Sequence, residues 1–106
     1  MEHLTGRWGV LVPAGLHQGP ARFNALRRRV DGVSEKMLSQ TLQSLERDGF
    51  VQRTVHAVMP PRVEYQLTDL GTTTAAKLLD LIGHLEARMP TVIAAQTHYD
   101  RSRTDD

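Results

Sequence analysis

No cysteine occurs among the 106 residues. That absence excludes structural disulfides, thiolate-bound metal and thiol-based redox sensing together. The five histidines, at positions 3, 17, 56, 84 and 98, are scattered and show no His-x-x-x-His spacing, so no metal-ligand pattern is present. No glycine-rich phosphate loop follows a strand, and no Gly-x-Ser-x-Gly string appears. Catalysis is left without candidate residues, and we expect no enzyme, no cofactor and no metal. No apolar run is long enough to span a bilayer, and no basic-then-apolar leader opens the chain. A cytoplasmic protein without membrane contact is expected. Internal repeats and low-complexity segments are missing too. Net charge is small: 13 Lys and Arg against 12 Asp and Glu give +1. Bulk charge therefore announces no polyanionic partner.

The distribution of charge says more than its sum. Arg22, Arg27, Arg28, Arg29, Lys36, Arg47, Arg53 and Arg62 all fall between positions 22 and 62, where acids are fewer. Such a basic middle fits a local phosphate-facing surface, the alternative being an ordinary solvated face. Apolar content of 40% and charged content of 24% suit a globular protein. At this length the chain is one domain, small enough that pairing would add stability.

Residues 34–48 read as a helix. Leu38, Leu42 and Leu45 recur at helical spacing, with Met37 and Thr41 beside them. Ser34 is a favourable N-cap, Glu35 complements the helix dipole, and Asp48-Gly49 supplies a stop. The other face offers Lys36, Ser39, Gln40, Gln43 and Arg47, hydrogen-bonding side chains suited to base edges in a major groove. Residues 22–30 form a shorter helix with Phe23, Leu26 and Val30 inward and an arginine-rich outer face, closed by Asp31-Gly32. Two helices joined by a short glycine-containing turn make a helix-turn-helix, the second helix being the reader. Residues 50–56 and 62–67 read as a hairpin, with Val63, Tyr65 and Leu67 inward and a tip over residues 58–61. The fold class is mainly α with a small β-hairpin, a winged helix-turn-helix.

Upstream, residues 1–5 are too short for an element of their own. Residues 6–16 are apolar enough for a buried helix, but Pro13, Gly9 and Gly15 predict that it is kinked or begins late. Trp8, Phe23 and Tyr65 read as packing residues. Downstream, Thr68-Asp69 caps a helix over residues 70–89 whose stripe is Ala75, Leu78, Leu79, Ile82 and Leu85. Pro90 ends or kinks it, residues 91–99 add a further short helix, and the polar residues 101–106 read as a disordered tail.

Several strings together carry a family resemblance. They are Gly6-Arg7-Trp8, Arg22-Phe23-Asn24-Ala25-Leu26, Val33-Ser34-Glu35-Lys36-Met37-Leu38, Leu45-Glu46-Arg47-Asp48-Gly49-Phe50 and Pro60-Pro61-Arg62-Val63-Glu64-Tyr65. The stretch from residue 6 to 71 resembles the HxlR family of bacterial transcriptional regulators. The resemblance implies a winged helix-turn-helix that dimerises through terminal helices and binds double-stranded operator DNA. On that pattern the helix opening at Ser34 enters the major groove, and the loop around Met59 and Arg62 approaches phosphates or a minor groove. Members often carry a cysteine upstream of the Gly-x-Trp string, and its absence here excludes oxidant sensing through a thiol.

Lys36, Ser39, Gln40 and Gln43 are the candidates for base reading, with Ser34 at the head of the same helix. The alternative for each is an exposed residue that only meets water. Arg28, Arg29 and Arg53 suit phosphates. Arg62 either reaches DNA from the wing or pairs with Glu64. Leu78, Leu79, Ile82 and Leu85, with Ile93 and Tyr99, are expected to meet a partner helix in a homodimer, the alternative being packing within one chain. The whole is expected as one winged helix-turn-helix domain with dimerisation helices over about residues 69–100. A small-molecule effector has no residue pattern to name it. The rival to DNA binding is a winged-helix protein–protein adaptor, which would expose apolar or acidic residues on the reader helix.

Overall fold

The computed structural model describes residues 6–105, apart from the side chains of Ala57, Val58 and Asp105. Residues 1–5, expected to form no element, and residue 106 lie outside the described residues. The first helix, α1, spans Arg7–Leu16 and buries Gly9, Val12, Pro13, Gly15 and Leu16. It starts well before Pro13, so the late start that the proline suggested does not occur. Proline removes its own donor and crowds the carbonyl four residues before it, a cost that does not end the helix here. Its carbonyl still accepts from the His17 N–H at 2.9 Å, and its ring is buried in the apolar face. Gly15 lets α1 pack closely, since a Cβ there would lie 3.1 Å from Val30 Cγ2.

Ala21–Arg22 form a short strand, β1, and the second helix, α2, spans Phe23–Arg29. The sequence predicts helix from Arg22, but that residue is extended (φ −78°, ψ 162°) and pairs with Glu64, as Ala21 does with Tyr65. The hairpin is thereby enlarged to a three-stranded antiparallel sheet in the order β1-β3-β2. The third helix, α3, expected from the sequence to be the reader, spans Glu35–Arg47. The Ser34 hydroxyl accepts from the Met37 N–H at 3.1 Å, closing its N-terminus. At the other end Phe50 N–H donates to Leu45 O (2.9 Å) and Gly49 N–H to Glu46 O (3.1 Å). This is the paired-bond stop that a left-handed residue permits, and Gly49 supplies it with φ +85°.

The wing comprises β2 (Val51–Val58) and β3 (Pro61–Leu67). Its register pairs Val51 with Leu67, Arg53 with Tyr65 and Val55 with Val63, with an irregularity between Val55 and Val58. Pro61, expected in the tip, is the first residue of β3, where a missing donor costs little. The core gathers Val12, Leu16, Leu26, Leu38, Leu42 and Leu45 with Phe50 and Val51. Trp8, Phe23 and Tyr65 pack against it, partly buried.

The long helix α4 spans Asp69–Ala87. Its first turn is fastened to the end of α3: Thr68 Oγ1 donates to Gly49 O at 2.6 Å and accepts from Gly71 N–H at 3.0 Å. A Cβ on Gly71 would sit 2.0 Å from the Phe50 carbonyl oxygen, so only glycine fits this contact. The final helix, α5, spans Met89–Asp105 with Pro90 in its first turn. It continues through Arg101 and Arg103, where the polar composition predicts disorder. Local bonds support it there, with Thr104 Oγ1 donating to Asp100 O at 2.8 Å and Arg103 reaching Tyr99 Oη at 3.3 Å. No helix among the described residues is long and apolar enough to cross a membrane.

Candidate nucleic-acid interface

Leu38, Leu42 and Leu45 anchor α3 to the core and so decide what its opposite side presents. Lys36, Gln40, Gln43 and Arg47 are exposed. At 100° per residue these four fall within about 60° of arc, opposite the buried leucines. Ser39 is half-buried on one flank. That flank faces α2, because Glu35 beside it pairs with Arg27 at 3.0 Å. Met37, Thr41 and Ser44 occupy the other flank, where they share a shallow cleft with Gly6, Arg7, Trp8 and Gly9. The outward side of α3 is therefore an exposed ridge of amide and cationic side chains with one neighbour on each side.

The arginines do not all serve that surface. Arg28 is exposed and lines two adjoining clefts, one with Asn24 and Ser34 and one with Pro61 and Val63. It stands where α2, the turn before α3 and the wing meet. Arg29 points elsewhere. Its Nη1 donates to Gly15 O at 3.3 Å and Gly19 O at 2.8 Å, and it lines a cleft with Leu11 and Leu79. It thus bonds the Gly15 carbonyl in the last turn of α1, where a cation is favourable, and the Gly19 carbonyl in the turn that follows, an intramolecular role beside the one its sequence suggested. Arg53 projects from β2 on the face shared with Val51 and Tyr65, beyond the packed core, and is exposed. Arg62 is exposed near the wing tip. Glu64 is paired with His56 at 3.2 Å, which leaves the Arg62–Glu64 pair unformed. Met59, 89% exposed, caps the tip.

Two further basic residues stand beside this surface, Arg22 from the basic stretch of the sequence and Arg7 from outside it. Arg22 lines the cleft between α2 and the wing. Arg7 lies against the outer flank of α3. Arg7 carried no local signal, because α1 brings it to α3 from a distant part of the sequence. Arg47 was legible as part of the outward face, three turns on from Lys36.

The residues expected at a dimer contact divide. Leu78, Leu79 and Ile82 are half-buried, Leu79 bordering α1. Leu85 and Ile93 are exposed, and Leu81, Met89, Val92 and Tyr99 join them.

Comparison with known proteins gives consistent matches. Residues 3–92 match the model of the HxlR-like helix-turn-helix family. The chain is 48% identical over 96 residues to YtfH of Escherichia coli (strain K12), an uncharacterized HTH-type transcriptional regulator, spanning 91% of this chain and 76% of that protein. Among solved structures it resembles the ytfH protein of Salmonella typhimurium, with a TM-score of 0.79 and 48% identity over 91% of this chain and 86% of that one. It also resembles the reduced form of the transcriptional regulator YodB from B. subtilis, with a TM-score of 0.70 and 32% identity over 80% and 83%.

Proposed function

The chain belongs to the HxlR-like helix-turn-helix family and is a DNA-binding transcriptional regulator, and we propose that it grips a pseudo-palindromic operator as a homodimer, with α3 of each protomer in the major groove. The observation that carries this reading is the exposed line Lys36, Gln40, Gln43 and Arg47 opposite the leucines of α3. A glutamine amide pairs bidentately with adenine N6 and N7, and a lysine donates to guanine O6 and N7. Gln40 and Gln43 read bases, and Lys36 reads a base at the head of the helix. Ser39 on the flank and Ser34 at the cap contribute hydroxyls to the groove edge. Arg28, Arg53 and Arg62 hold phosphates, supplying affinity through counterion release.

Dimerisation uses the apolar residues that the fold leaves uncovered on α4 and α5, Leu81, Leu85, Val92 and Ile93 among them. Burying each such side chain is worth up to about 1.5–3 kcal/mol. Leu78, Leu79 and Ile82 contribute the parts they leave exposed. A two-fold dimer of this kind sets its reader helices about 34–36 Å apart. The protein works where the bacterial chromosome is, in the cytoplasm, and has no catalytic role in this reading. A small-molecule effector would act through the cleft where Leu79 of α4 meets Leu11 and Arg29, since that cleft joins the dimer helices to the DNA-binding body.

Selection of bound fragments from genomic DNA tests the proposal. Inverted repeats with half-site centres a whole number of helical turns apart are expected. Enrichment of lone, asymmetric sites would contradict the dimer. Failure to bind any duplex at low salt would favour the protein–protein adaptor.

A further inference from the structure

We propose that Arg7 is a DNA-backbone contact on the flank of α3 that faces away from the wing, positioned by Trp8. The inference rests on α3 being the major-groove helix. Arg7 opens α1 and is exposed, with its guanidinium carbon 4.6 Å from the centroid of the Trp8 ring. Trp8 is itself anchored against the core and reaches toward Gly32, where a Cβ would lie 3.9 Å from Trp8 Cη2. Stacking on a held ring limits the rotamers of the arginine, so less entropy is lost when it meets a phosphate. The cleft beneath it is walled by Met37, Gln40, Thr41 and Ser44 of α3, and Gln40 belongs to the outward line.

A helix about 10–12 Å across fills a major groove about 12 Å wide, so each flank of the helix faces one phosphate wall. Arg28 and the wing serve the wall on the α2 side. Arg7 serves the other. Among the described residues no carboxylate pairs with its cation: Asp31, which borders a neighbouring cleft with it, forms no salt bridge, and the one arginine–carboxylate pair is Arg27–Glu35.

The test is the salt dependence of binding by fluorescence anisotropy, on a duplex enriched from genomic fragments and on a random-sequence duplex. Each phosphate contact contributes about 0.9 to the slope of log K against log salt. Arg7→Ala is expected to flatten the slope by about that amount on both duplexes, and Arg7→Lys to restore it. Arg7→Gln keeps a stem over the ring without the charge and should behave as Arg7→Ala does, with a thermal melt matching that of the wild type. Unchanged slopes in Arg7→Ala and Arg7→Gln, with the wild type binding, would overturn this proposal alone. A wild type that binds neither duplex would overturn it together with the placement of α3.

Discussion

Arg29 donates to Gly15 O and Gly19 O, while its neighbour Arg28 lies exposed between the reader helix and the wing. The two residues are indistinguishable in sequence, both sitting on the arginine-rich side of one short helix. Their directions are set by what stands opposite them: for Arg29 the carbonyls of Gly15 in the last turn of α1 and of Gly19 in the turn beyond it, for Arg28 the cleft before Ser34. That information lives in the tertiary packing, which is why the sequence assigned both to phosphates. The difference is measurable. Arg29→Ala should lower the free energy of unfolding by about 1 kcal/mol, the worth of an exposed charged hydrogen bond near a helix end, and leave the salt slope of DNA binding unchanged. Arg28→Ala should flatten that slope by about 0.9 and leave the melt nearly where it was. Exchange of these two outcomes would mean that the arginines have been assigned the wrong way round.

At the scale of the element, α3 was legible because three independent signals agreed: the spacing of its leucines, the cap at Ser34 and the stop at Gly49. Removing one should register. Ser34→Ala is expected to cost about 1 kcal/mol in stability, read by denaturant titration, since Met37 N–H loses its partner. Strand β1 was not legible. Two residues have no periodicity, and Ala21 and Arg22 are extended only because β3 is there to pair with them. The end of α5 was hidden for a different reason: a helix held by its own i,i+4 contacts carries no apolar stripe to announce it. The junction of α3 with α4 was also invisible, because the close approach of Gly71 to Phe50 O joins segments that do not adjoin in sequence. Gly71→Ala must push these elements apart, and a loss of at least about 1–3 kcal/mol is expected in the same titration. Wild-type stability in that variant would show that the contact is looser than described.

The molecule as a whole measures 68 by 26 by 22 Å, elongated because α5 leaves the body rather than folding back onto it. Leu81, Leu85, Val92 and Ile93 are exposed in the isolated chain, and the proposed two-fold dimer would bury them. Sedimentation should show a dimer for the wild type and a monomer for Leu85→Glu combined with Ile93→Glu, with loss of tight binding to an inverted repeat. A dimer surviving that double change would move the interface elsewhere. The central claim remains the outward side of α3, and paired titrations of Gln40→Ala and Gln43→Ala address it most directly. Both variants would be titrated at matched salt against the enriched duplex and its single-base-pair substitutions. The account predicts that each variant loses about 1–3 kcal/mol of discrimination at one base pair while its salt slope stays that of the wild type. Base-pair preferences identical to the wild type in both variants would contradict it.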